Sequence, residues 1–172
     1  QKALAPDTPF YLQLCYPAAH SPLQARARDR DAYARAYDAG WDVVRAARLE
    51  RQRKLGVVPE TTTLPPLSPG ADPWDGLDAT QKRVYARYME LYAGLITNLD
   101  ANIGRFLAAL DESGLRDDTL VVVFSDNGGS AEGTQQGTPN VFASALGRPV
   151  PIEEADKLHD VMGGDTTFPH YP

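Results

Sequence analysis

Apolar residues fall in two patterns along this chain. The first is a short continuous run. Residues 9–16 read Pro-Phe-Tyr-Leu-Gln-Leu-Cys-Tyr, and residues 119–124 read Thr-Leu-Val-Val-Val-Phe. Runs of this length, rich in β-branched and aromatic residues, are expected to be strands buried on both faces, as in a parallel sheet. The second pattern is helical. Over residues 26–55, Trp41, Val44 and Ala47 keep to one side, and Gly56 stands where a helix stops. Over residues 79–113, Tyr85, Tyr88, Leu91, Tyr92, Leu95, Leu99, Ile103, Phe106, Leu107 and Leu110 recur at spacings of three and four. Asp78 and Gln81 suit a capping box at the start of that helix, and Gly114 ends it. Helix 79–113 followed closely by run 119–124 makes half of a βαβ unit, whose crossovers are right-handed in a parallel sheet. The predicted fold class is therefore α/β, a mostly parallel sheet flanked by helices.

Between the two helical stretches, residues 57–77 hold Pro59, Pro65, Pro66, Pro69 and Pro73 and predict an extended connector. Residues 130–150 have loop composition, residues 152–162 could make a short acidic helix, and residues 163–172 carry no secondary-structure signal.

A chain of 172 residues suits a single domain with a sizeable core. With 42% hydrophobic and 23% charged residues its balance is globular, and a formal charge of −6 argues against nucleic-acid binding. The lone Cys15 excludes an internal disulfide and reads as a buried, structural strand residue. The start, Gln1-Lys2-Ala3-Leu4-Ala5-Pro6, is neither a signal peptide nor a membrane anchor, so no membrane partner is expected. Localisation stays open.

Candidate chemistry sits where the two runs end. Run 119–124 delivers Ser125-Asp126-Asn127-Gly128-Gly129. Asp126 and Asn127 offer hard oxygen ligands suited to Ca²⁺ or Mg²⁺, though the same residues make a good Asx turn. Run 9–16 delivers His20 in a loop framed by Pro17 and Pro22. That histidine can act as acid, base or anion donor, or simply be solvated. In α/β proteins, ligands gather at the carboxyl edge of such strands. Two strands parallel in one sheet would bring His20 near Asp126 and Asn127. His159 lies in the acidic stretch and is expected to be exposed.

Taken together, these segments resemble the sulfatase family. The histidine segment "PFYLQLCYPAAHSPLQA" and the late metal-binding strand "DDTLVVVFSDNGG" carry the resemblance. The stretch between them, beginning "YDAGWDVVRAARLERQRKLGVVPE", is similar to the bacterial arylsulfatase subgroup. The resemblance runs in order from about Pro9 to Pro172. It implies an alkaline-phosphatase-like sandwich, a calcium ion held in part by Asp126 and Asn127, and a small-molecule sulfate ester as substrate. It also implies that His20 contacts the sulfate and helps to protonate the leaving oxygen, and that His170 lies near the site rim. The family's nucleophile is a formylglycine made from Cys or Ser in a Cys/Ser-x-Pro-x-Arg motif. Cys15-Tyr16-Pro17-Ala18-Ala19 has Ala19 where arginine is required, so that motif is missing. The chain is accordingly expected to be an internal piece of a longer sulfatase, inactive by itself, with the formylglycine outside it and metal binding weak or absent. It is also expected to expose sheet edges that invite self-association. Two alternatives stay open: a phosphoester or phosphonate hydrolase of the same superfamily, and a non-catalytic α/β module.

Overall fold

The computed structural model describes residues 7–130 and 132–172. Residues 1–6, on which the signal-peptide reading rests, lie outside them. The frame is a single long helix, α3 (Ala79–Glu112). It begins as the sequence predicts. The Asp78 carboxylate accepts from Gln81 N at 2.8 Å, and the Gln81 side chain accepts from Asp78 N at 2.9 Å. Two otherwise orphaned N–H groups are thereby satisfied. At its other end Gly114 takes φ +64°, and Gly114 N and Leu115 N return to Asp111 O and Leu110 O at 3.0 and 2.9 Å. Gly56 closes α2 (Gly40–Lys54) in the same manner.

The helix predicted over residues 26–55 is interrupted. A short α1 (Ala27–Asp31) is followed by turns through residue 39, and only then by α2. Within the interruption Arg35 stands at φ +65°, and its N–H is held by Glu90 Oε1 at 2.7 Å. A left-handed non-glycine residue ends a helix, and here α3 supplies the acceptor that fixes it. Helix α1 crosses α3 at Gly94, where an added Cβ would lie 2.8 Å from Asp29 O. The small residue permits backbone to approach backbone.

The core collects on the first half of α3. Val84, Tyr85, Ala86, Tyr88 and Leu91 pack with Leu23, Trp74, Leu77, Ala155 and Met162. Trp74 opens a 3-10 turn (Trp74–Gly76) at the end of the proline connector. It meets the Trp41 ring edge-on with centroids 4.9 Å apart, and its backbone N–H donates to Asp42 Oδ2 at 3.0 Å. The connector is thus tied back to α2 as a wrapping loop, reinforced by Arg45 Nη2 donating to Pro65 O at 2.7 Å. A buried ion pair, Arg87 Nη1 to Glu90 Oε2 at 2.7 Å, lies beside this core. Two short helices follow: α4 (Val141–Ala145), capped by Asn140 Oδ1, and α5 (Ile152–Lys157) against α3. The acidic helix predicted to 162 stops early and continues as turns.

The sheet is where the structure departs from expectation. No strand forms among the described residues, and isolated bridges join only Thr138 to His170 and Asn140 to Phe168. Residues 9–16 and 120–125 take no regular secondary structure and residues 126–128 bend, and no backbone group of 9–16 or 120–127 bonds to the backbone of another described segment. Leu120 is 89% and Phe124 81% exposed. The reason is physical. A helix satisfies its backbone internally, whereas a strand needs a neighbour on each edge and a layer on each face. The described residues supply neither. Cys15 is corrected with them: it is exposed, and its Sγ lies 3.2 Å from Gln13 Nε2.

Candidate functional site

The loop after run 119–124 is built from its own side chains. Ser125 Oγ donates to Asn127 O at 2.6 Å, Asp126 Oδ1 accepts from Asn127 N at 3.1 Å, and Asn127 Nδ2 donates to Gly128 O at 2.8 Å. The Asp126 carboxylate reaches only the next residue, one short of the Asx turn that the sequence allows. These bonds consume the donors and leave Asp126 Oδ2 and Asn127 Oδ1 without hydrogen-bond partners among the described residues, both on exposed residues. Two hard oxygens on one turn suit a Ca²⁺ ion in kind. They do not suffice in number, since Ca²⁺ takes about six to eight oxygens. Among the described residues no group of three or more His, Cys, Asp or Glu could complete such a site.

His20 sits in a tight turn, with its N–H bonded to Pro17 O at 2.8 Å. Its Nδ1 lies 2.7 Å from Ser21 O. A carbonyl can only accept, so Nδ1 carries the proton and Nε2 of the exposed ring is left to take or give another. No hydrogen bond or ion pair joins His20 to Asp126 or Asn127.

The other two histidines are less exposed than His20. His170 is 1% exposed, with Nδ1 donating to Tyr171 O at 2.8 Å. An added Cβ on Gly133 would come within 2.4 Å of that nitrogen. His159, expected to be exposed, is half-buried and pairs with Asp160 at 3.1 Å. The hydrogen bond from His159, then its charge, holds the Asp160 carboxyl below its ordinary value.

A groove of about 440 Å³ opens beside the start of α3, lined by Arg35, Asp38, Lys82, Arg83, Glu90 and His159 among others. Most of its charges are matched internally: Arg35 with Asp38, Arg87 with Glu90 and Arg83 with Asp156. Neither His20 nor Asp126 lines it.

Asp126, Asn127 and His20 carry free oxygen and nitrogen atoms suited to a cation and to proton transfer at an ester. The sulfatase family model matches residues 1–156. An arylsulfatase from Klebsiella aerogenes is 30% identical over 172 residues, covering 99% of this chain and 35% of its own length. An uncharacterized sulfatase from Schizosaccharomyces pombe is 40% identical over 126 residues, 73% of this chain and 22% of the relative. A multifunctional alkaline phosphatase superfamily protein from Trinickia caryophylli is 46% identical over 55 residues, 31% of this chain and 11% of the relative. The chain belongs to the sulfatase family. It spans about a third or less of the length of each of these relatives.

Proposed function

We propose that this chain forms part of the active site of a sulfuric ester hydrolase acting on small sulfate monoesters of the aryl type. The observation that carries the reading is the similarity to an arylsulfatase over almost the whole chain. The free oxygens of Asp126 and Asn127 and the free Nε2 of His20 support it from the chemical side. Breaking the S–O bond of a sulfate monoester concentrates negative charge on the sulfuryl oxygens and on the departing oxygen. Asp126 and Asn127 would hold part of a divalent cation, with calcium the expected ion. That cation, when bound, supplies positive charge to the sulfuryl oxygens. With Nδ1–H kept on Ser21 O, His20 must carry a second proton on Nε2 to act here: that N–H would bind the sulfate and then pass its proton to the leaving alkoxide or phenoxide, leaving the neutral ring. The nucleophile, by the resemblance a formylglycine, comes from outside these residues, and the chain alone is inactive.

Kinetics of the full-length protein across aryl sulfates of graded leaving-group acidity test this. His20→Ala slows poor leaving groups most, because they depend most on the proton. Equal loss across the series assigns His20 to sulfate binding alone, and wild-type turnover by both Asp126→Ala and His20→Ala removes the reading. A second reading, hydrolysis of phosphoesters, draws on the similarity to the alkaline phosphatase superfamily protein over 55 residues. Faster turnover of aryl phosphates than of aryl sulfates by the same preparation would favour it.

A further inference from the structure

We infer that residues 163–171 form a bracket that holds the His20 loop and the Asp126–Asn127 loop in one frame, with Tyr171 as the positioning residue for the latter. The inference rests on the reading above for the meaning of the two loops, but the bracket is visible without it. Neither loop has regular secondary structure to hold it, and the two are separated by more than a hundred residues. Both are bonded to this one stretch.

On the histidine side, Leu23 N donates to Pro169 O at 2.8 Å and Ala25 N to Gly163 O at 3.1 Å. Gln24 Nε2 donates to Thr167 O at 2.8 Å. Leu23 and Met162, both fully buried, lock the junction against α3. Thus the chain is pinned three residues after His20.

On the other side, Thr138 and His170 exchange both backbone bonds, at 2.9 and 2.8 Å, and Val141 N donates to Phe168 O at 2.8 Å. Closest to the site, Tyr171 Oη accepts from Ser130 N at 2.7 Å. Ser130 follows Asn127 by three residues, so the second loop is pinned at the same remove as the first. The Tyr171 ring is itself held edge-on to Tyr92 of α3, with centroids 5.3 Å apart. At Gly133, an added Cβ would come 2.0 Å from Tyr171 O, so the two segments touch backbone to side-chain position with no room between.

Most of these links are made by backbone. The Tyr171–Ser130 bond is made by a side chain, and Tyr171→Phe deletes its acceptor while keeping the ring against Tyr92. In the 172-residue chain, amide exchange followed by NMR is expected to quicken at Ser130 by roughly two- to tenfold, the equivalent of one net hydrogen bond. The amides of Asp126 to Gly129 shift with it, and those of Thr138 and His170 stay protected. Unchanged exchange at Ser130 and unchanged shifts over 126–129 overturn the bracket. Calorimetric titration of the full-length protein with calcium chloride then separates positioning from mere support. Tyr171→Phe is expected to weaken calcium binding there by a smaller factor, toward the lower end of that range, at unchanged Tm. If Asp126→Ala abolishes binding while Tyr171→Phe leaves it intact, the positioning role is refuted and the metal reading stands. If Asp126→Ala leaves binding intact, the metal reading is refuted and the bracket is judged on the exchange result.

Discussion

Glu90 offers the sharpest test of how this fold is held. Its carboxylate is buried, 7% exposed, and faces Arg87, 6% exposed, at 2.7 Å. Its other oxygen accepts from Arg35 N at 2.7 Å and so fixes the left-handed turn between α1 and α2. Removing one partner of a buried pair costs about 3–5 kcal/mol, mostly because the survivor is left desolvated. After Glu90→Leu, Arg87 retains Asp31 Oδ1 at 3.3 Å, a carboxylate more than half exposed, so the lower end applies, about 3 kcal/mol. After Arg87→Met, Glu90 retains only the Arg35 N–H, and about 4 kcal/mol is expected. The double variant removes both charges and also the buried Arg87 Nε, which has no hydrogen-bond partner in the wild type. It should lose no more than about 2 kcal/mol. The singles therefore overshoot the double by several kcal/mol. Urea unfolding followed by far-UV circular dichroism, with m-values compared across the four proteins, measures each corner of this cycle. Additivity to within about 0.5 kcal/mol would mean the two side chains do not share a desolvated site.

Further outcomes follow from single positions. Tyr88 is fully buried and its hydroxyl has no hydrogen-bond partner, so Tyr88→Phe is expected to stabilise by about 1 kcal/mol in a urea melt; a loss of stability would contradict the unsatisfied hydroxyl. Burial also raises the Tyr88 pKa, so wild-type stability is unaffected by this group below the ordinary tyrosine value of 10.0 and falls as pH climbs beyond it, and Tyr88→Phe should flatten that alkaline decline. Gly94→Ala should destabilise by about 1–3 kcal/mol, because its Cβ meets the Asp29 carbonyl, even though alanine gains about 1 kcal/mol of helix propensity; a rise in Tm would displace α1 from this contact. The purified 172-residue chain should not turn over an aryl sulfate, and turnover that survives Cys15→Ala would overturn the view that the nucleophile lies elsewhere.

What the sequence disclosed depended on whether a feature was periodic and local. The α3 boundaries, its capping box and the glycines closing α2 and α3 are local, and they were legible to within a residue or so. Leu23, Trp74 and Met162 are single apolar residues in loops, and no period marks them, yet they complete the core. Arg87 and Glu90 stand three apart on a helix, a spacing that reads as a solvated surface pair. Only their burial makes them structural. His170 is the converse case: nothing in its featureless tail marks burial, and the bridge to Thr138 buries it. Asp126, Asn127 and His20 are candidates from chemistry at the ends of apolar runs, and their expected closeness depends on a sheet that the described residues do not form.

The exposure of run 119–124 bears on what positions the candidate metal loop. Leu120, Val122, Val123 and Phe124 are each at least 66% exposed. Fully burying such side chains is worth about 1.5–3 kcal/mol apiece, so this run withholds on the order of 6–12 kcal/mol of burial, comparable to the net stability of a whole domain. A loop hung from an unpaired run gains no orientation from its upstream side. Its orientation comes from the downstream side, through Ser130 and Tyr171, and Tyr171 is in turn fixed by α3. Sheet partners for the run, supplied by further chain as the greater length of the arylsulfatase relative allows, would add a second anchor upstream. Fixing a turn at both ends removes the rotation that a single anchor permits, and ligand geometry at a cation tolerates little of it. The contribution of Tyr171 should therefore be largest in the 172-residue chain and smaller, though not absent, wherever the run is paired.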